Sequence, residues 1–115
     1  MTSDGFKKRT KAFALRVIHL VDSLPRSRTA GIIGGQLLRA GTSVGANYRA
    51  ACRAKSTADF VAKMGIVEEE CDESAYWMEL LMEAGIMKES RVVGLLSEAN
   101  EILSMVIASI KTPRK

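Results

Sequence analysis

Apolar residues recur in the first segment at Phe6, Phe13, Val17, Leu20 and Leu24, in steps of 7, 4, 3 and 4 that match the period of an α-helix. Ala14, Ile18 and Val21 widen this stripe. Leu24-Pro25 ends it, because proline disfavours helical geometry in the residue before it. Ser27 is placed to cap a second helix, predicted from about Arg28 to about Ala54, with Ile33, Leu37, Ala40, Val44 and Ala51 in helical spacing. Ser56-Thr57-Ala58-Asp59 has the form of a capping box with Asp in place of Glu. The positions Phe60, Met64, Val67, Cys71, Ser74, Met78, Leu81 and Gly85 then alternate steps of 4 and 3, a sustained heptad seam. Ile66, Trp77 and Leu80 lie off the seam and predict a second buried face on this third helix. Gly85 marks its end, and Ser90 is the predicted cap of a fourth helix with a seam of Val92, Leu96, Ala99, Leu103, Val106 and Ile110.

The second segment carries an unusual load of small residues. Gly31, Gly34, Gly35, Gly41 and Gly45 each cost about 1 kcal/mol in an exposed helix. That cost is reasonable where another helix, from the same chain or another subunit, approaches the backbone closely. Gly31/Gly35 and Gly41/Gly45 have the small-xxx-small spacing that permits it. Neither pair forms a phosphate loop, since no Gly-Lys-Ser/Thr follows and no strand precedes.

Residues 1–115 therefore read as one all-α domain, an antiparallel up-down four-helix bundle with short flexible ends over about 1–6 and 112–115. Composition agrees. The chain is 47% apolar but only 5% aromatic, rich in the aliphatic residues of helices, with Pro25 and Pro113 its two prolines. No stretch is read as a membrane span, and Arg16, His19 and Asp22 interrupt any signal-peptide core, so a cytoplasmic location is expected. Cys52 and Cys71 are too few for a disulfide framework, and with the lone His19 they offer no zinc set.

Charge changes the picture. Residues 1–55 hold 11 Lys+Arg against 2 Asp+Glu, whereas residues 56–115 hold 6 against 11, so a net +4 conceals halves of +9 and −5. Three readings follow: the halves neutralise one another within a bundle, they do so between subunits, or the basic half takes an anionic partner.

The stretch Ser43-Val44-Gly45-Ala46-Asn47-Tyr48-Arg49, with Cys52-Arg53-Ala54-Lys55-Ser56 and Asp59-Phe60 after it, resembles a bacterial family first noted in intervening sequences of 23S ribosomal RNA genes. Glu69-Glu70-Cys71-Asp72-Glu73-Ser74-Ala75-Tyr76-Trp77-Met78-Glu79-Leu80-Leu81 extends the resemblance, which covers about residues 8–110. The accessory variability proteins of diversity-generating retroelements are similar. The resemblance implies a glutamate after Arg49, and Ala50 departs from it. The resemblance implies a ring-like homo-oligomer, a homopentamer, with a basic surface and no catalytic activity. It also implies nucleic acid, RNA or DNA, and a reverse transcriptase as partners.

Catalytic chemistry finds little support in the residues. A di-iron carboxylate bundle needs Glu-x-x-His on two helices, and there is one histidine. Helical ribonucleases of the Arg-x(4–6)-His type need an arginine where Ala12, Phe13 and Ala14 stand. His19 is read as structural, so nucleophilic triads lack a base. Consecutive carboxylates at Glu68, Glu69, Glu70, Asp72 and Glu73 point in different directions on a helix and suit a solvated or intersubunit face. No cofactor, metal or small-molecule substrate is expected, and no enzyme. Ser43 and Asn47, one turn apart, are read as a buried polar lock on helix register. Cys71 is read as a core residue. Arg26, Arg28, Arg39, Arg49, Arg53 and Lys55, with Lys7, Lys8, Arg9 and Lys11 nearby in sequence, are the candidate nucleic-acid contacts. No aromatic platform accompanies them, since Tyr48 stands alone, so binding is expected to read backbone and shape rather than sequence. A protein-binding scaffold whose charge serves assembly is the alternative.

Overall fold

The computed structural model describes residues 2–112, and these form four helices: α1 (Ser3–Asp22), α2 (Arg28–Cys52), α3 (Thr57–Glu83) and α4 (Glu89–Lys111). Three begin at a hydroxyl that satisfies an orphan amide of the first turn. Thr2 Oγ1 accepts from Gly5 N at 3.0 Å, Ser27 Oγ from Ala30 N at 3.1 Å and Ser56 Oγ from Asp59 N at 3.0 Å. Asp59 completes its capping box one residue early, accepting from the amide of Lys55 at 3.1 Å. The helix α1 thus starts earlier than the flexible 1–6 expected, and Phe6 is already buried. Pro113 to Lys115, the rest of the expected flexible tail, lie outside the described residues.

The α3–α4 turn differs from the sequence reading. Gly85, at φ 71°, takes the left-handed conformation that lets the chain leave α3, with Ile86 N and Met87 N both donating to Leu81 O. Lys88, not Ser90, precedes α4, and it supplies no side-chain cap. Met87 and Val92 are both buried at the two positions of a hydrophobic staple, which fixes the chain's entry without a hydroxyl.

The helices stand at the corners of a square, α1 beside α2, α2 beside α3, α3 beside α4, with a looser α4–α1 seam closing it and the diagonal pairs apart. The bundle measures 47 × 22 × 20 Å. Phe13, Val17, Leu37, Val44, Met64, Met78, Leu81, Ile102 and Val106 form its fully buried centre. On α3 the expected seam from Phe60 to Leu81 is buried throughout, including Ser74, whose hydroxyl donates to Glu70 O. The second face is less covered: Trp77 and Leu80 are half-buried, and Ile66 is exposed. On α4 the buried line is Val92, Leu95, Ala99, Ile102 and Val106, with Leu96, Leu103 and Ile110 half-buried. This segment offers Leu95-Leu96 and Ile102-Leu103 as adjacent apolar pairs, so its period alone does not choose the central member. By length and composition α4 is also apolar enough to cross a membrane, contrary to the sequence reading; here it packs this line of residues into the core.

The small residues of α2 divide into two sets. Gly34, Gly41 and Gly45 face α1 and the turn that follows it: a Cβ on Gly34 would lie 2.8 Å from Leu24 of the turn and 3.4 Å from Val21, one on Gly41 2.8 Å from Val17 and one on Gly45 3.1 Å from Thr10. Gly31 and Gly35 meet nothing within 4 Å in the single chain. The close neighbour expected for Gly41 and Gly45 is therefore α1 of the same chain.

Candidate nucleic-acid interface

The antiparallel course of α1 and α2 brings the N-terminal half of one against the C-terminal half of the other. Cations distant in sequence thereby meet. Lys7, Lys8 and Lys11 from α1 and Arg49 from α2 line a groove of about 430 Å³, with Gly45 and Ala46 on its α2 wall. Ala14 and Thr42 extend it along the seam, and no carboxylate lines it. None of the four cations has an ion-pair partner among the described residues, so all four are available to an external anion.

Arg9 sits between these lysines in sequence but turns to the other side of α1. Its Nε and Nη2 donate to the two carboxylate oxygens of Glu98, each at 2.8 Å, and Nη2 reaches Glu101 Oε1 at 3.1 Å. Its Nη1 lies 3.2 Å from Met105 Sδ, so one guanidinium spans the loose α1–α4 seam. The hydrogen bonds from Arg9 hold the Glu98 carboxyl below its ordinary pKa, against an opposing effect of burial, with Arg16 contributing a smaller attraction. Glu98, then Glu101, raises Arg9 in turn. A carboxyl lowered in the folded state stabilises the fold above its unfolded value, about 4.3, and loses that contribution as pH falls through the folded one. Arg9→Gln is therefore expected to flatten the acid limb of stability. Urea midpoints at pH 6 and pH 3 should lie closer together in the variant than in the wild type.

Of the six cations expected to form one cluster, the fold separates most. Arg28 and Arg53 bound a helix of 25 residues, about 37 Å apart along its axis. Arg26 and Arg28 stand at one end of the bundle. Arg49, Arg53 and Lys55 stand at the other, where the lysines of α1 join them. Arg39, at mid-length, donates to Glu70 at 2.9 Å and also pairs with Glu73, while Gln36 accepts from its Nε. It is half-exposed but already neutralised within the chain, so it is the weakest of the six as a phosphate contact.

Within the single chain, the hydrogen bonds of Ser43 and Asn47 stay inside α2. Ser43 Oγ donates to Arg39 O at 2.6 Å, and Asn47 Nδ2 donates to Ser43 O at 2.9 Å, both within α2. Both side chains are only half-buried. The buried hydroxyl in this layer is Thr10, fully enclosed opposite Gly45, donating to the carbonyls of Phe6 and Lys7. The third-helix carboxylates fan out as expected of consecutive residues: Glu70 and Glu73 meet Arg39, while Glu69 and Asp72 are exposed. Cys71 is buried and donates to Ala99 O at 3.2 Å; burial, with Asp72 and Glu98, pushes its thiol up to about 12. It is protonated at neutral pH and unsuited to nucleophilic work. His19, read as structural, is instead exposed near the end of α1.

A family model, the 23S rRNA-intervening sequence protein, matches residues 5–108. The chain belongs to this family. A solved structure, that of a protein of unknown function from the S23 ribosomal protein family of Bacteroides thetaiotaomicron VPI-5482, is similar over 97% of this chain and 100% of its own, at 34% identity and a TM-score of 0.89. No curated protein matches the chain. The match thus spans all four helices of this chain, and the sequence resemblance to the family holds.

Proposed function

We propose that the protein is a non-catalytic, self-assembling bundle that binds nucleic acid, RNA or DNA, through the basic face of α1 and α2. The observation that carries this reading is the groove of Lys7, Lys8, Lys11 and Arg49: four cations without an ion-pair partner, and no lining carboxylate, among the described residues. Each phosphate they neutralise releases condensed counterion, which makes affinity fall steeply with salt. No stacking surface accompanies them, because Tyr48 is buried edge-on against Phe6, and Tyr76 and Trp77 lie on α3. Recognition is therefore of backbone and shape.

Assembly into a ring of five is the form that the resemblance supports. Exposed Ile32 and Leu38 on α2, and Ile66 and Tyr76 on α3, are apolar surface that further copies would cover. The similarity to retroelement accessory proteins adds a reverse transcriptase as the expected protein partner. The same apolar surface also favours the second reading, a scaffold that binds protein and no nucleic acid. Salt-titrated binding of RNA and duplex DNA, alongside a solution mass measurement, separates the two. Binding with a log–log salt slope of about −3 or steeper supports the first reading. No binding to either at low salt leaves the scaffold, and a stable monomer at micromolar concentration removes the ring.

A further inference from the structure

A second groove flanks α1 on its other side. Arg16 and His19 of α1, Ser23 just beyond its end, and Ser90, Arg91 and Gly94 of α4 line a depression of about 360 Å³ in the loose α1–α4 seam, floored by Leu20 and Leu95. At Gly94 a Cβ would make only ordinary contact, 3.6 Å, with the Arg16 guanidinium, which places Arg16 over the α4 backbone at this point. Arg16 and Arg91 are exposed and have no ion-pair partner among the described residues; the nearby Glu98 is already held by Arg9.

The two basic grooves lie on opposite flanks of one helix. Their centres are about ten residues apart on α1, about 15 Å along its axis. Between them Ala12 and Leu15 are exposed and line neither groove, and Leu15 is 51% exposed at that crest. A corner helix with phosphate-seeking flanks and a small apolar crest has the form of an element entering a groove between two phosphate rows.

From this arrangement, which rests on the nucleic-acid reading, we infer that α1 seats in the major groove of B-form DNA, with Lys7, Lys8, Lys11 and Arg49 on one strand's phosphates and Arg16 and Arg91 on the other's. The B-form major groove, about 12 Å wide, admits an α-helix of 10–12 Å diameter. The A-form major groove of duplex RNA is too deep and narrow for side chains to read. A single strand offers one phosphate row and would engage one flank. Asp4 and Asp22, exposed near the two ends of α1, repel phosphate and confine the contact to the stretch between them. Ala12 and Leu15 have no hydrogen-bonding side chain, so the crest packs on base edges such as thymine methyls and selects sequence weakly.

The test is fluorescence anisotropy on a 20-base-pair DNA duplex, the same duplex as RNA, and one DNA strand, across a salt series. Duplex DNA is expected to bind at least five-fold tighter than the other two. Arg16→Gln with Arg91→Gln should flatten the salt slope by about 2 and weaken binding about 50-fold at about 0.1 M salt. Leu15→Glu, which places a carboxylate in the groove, should weaken binding at least ten-fold with an unchanged melting curve. Wild-type affinity and slope in the double variant, where Arg49→Gln does weaken binding, would overturn the second flank and leave the nucleic-acid reading standing. Equal or tighter binding to the RNA duplex or the single strand overturns the major-groove mode. No wild-type binding to any probe overturns the proposed function itself, and this inference with it.

Discussion

Gly41→Leu is expected to cost about 3 kcal/mol, the upper part of the range for overpacking a formed core. The reason is local and severe. A Cβ at Gly41 would sit 2.8 Å from both γ-carbons of Val17 and 3.1 Å from its β-carbon, in a layer where both residues are buried. Valine is branched at that carbon and stiff about χ1, so it cannot swing aside as a longer side chain would. Even Gly41→Ala should destabilise, although alanine gains about 1 kcal/mol of helix propensity over glycine. Gly34 should be more forgiving, because its nearest obstacle is the far end of Leu24. Gly31→Ala and Gly35→Ala meet nothing within 4 Å and should each stabilise the isolated fold by up to about 1 kcal/mol. Urea unfolding of the four alanine variants gives the ranking. A Gly41→Ala variant as stable as the wild type would mean α1 has room to withdraw. If Gly31→Ala and Gly35→Ala raise stability yet weaken assembly, those two glycines admit a neighbouring copy.

How far the fold could be read from residues varies along the chain, for identifiable reasons. The α3 seam was legible because its apolar residues keep one heptad register between a hydroxyl cap and a left-handed glycine. Its neighbour α4 was legible as a helix but not in its central line, since adjacent apolar pairs satisfy two registers equally. Thr10 was missed because it is polar. The signal was present in the step of 7 from Phe6 to Phe13, which Thr10 divides into 4 and 3. Its hydroxyl is satisfied by its own helix, so it can be buried without a partner elsewhere. Asn47 shows the reverse: its type suggested a lock, but its position on α2 leaves it half-buried and bonded one turn back.

The site was legible as charge and not as place. A basic first half predicts a basic face once α1 and α2 are neighbours. Which cations gather depends on the turn of each helix, about 100° per residue, and on antiparallel pairing. Arg9 and Lys8 are adjacent in sequence, yet one spans the α1–α4 seam and the other lines the α1–α2 groove. The pairing that sets Arg39 apart from the other candidate phosphate contacts needed a fact no single-helix pattern contains, the arrival of Glu70 and Glu73 from α3. Arg16 and Arg91 escaped attention because they are 75 residues apart and meet only where α4 closes the square.

The largest effect on binding is expected from replacing Lys7, Lys8, Lys11 and Arg49 together with glutamine. In the counterion-release picture each phosphate contact contributes about 0.9 to the log–log salt slope, so losing four should flatten it by about 3.6. At about 0.1 M salt that corresponds to roughly a four-thousand-fold loss of affinity for a DNA duplex. Glutamine keeps much of each side chain's length and polarity. Since these cations have no ion-pair partners among the described residues, the bundle should stay folded, with an unchanged circular-dichroism melt. The competing account assigns the same cations to a neighbouring subunit, opposite the exposed carboxylates Glu69, Asp72, Glu79 and Glu83 of its α3. The two accounts diverge in the order of loss. Phosphate contacts predict a variant that assembles like the wild type and binds weakly. An intersubunit role predicts that assembly fails first and that binding falls only with it. Sedimentation of the variant, run beside the salt titration, decides between them: an intact oligomer with wild-type affinity and slope would remove all four residues from the interface.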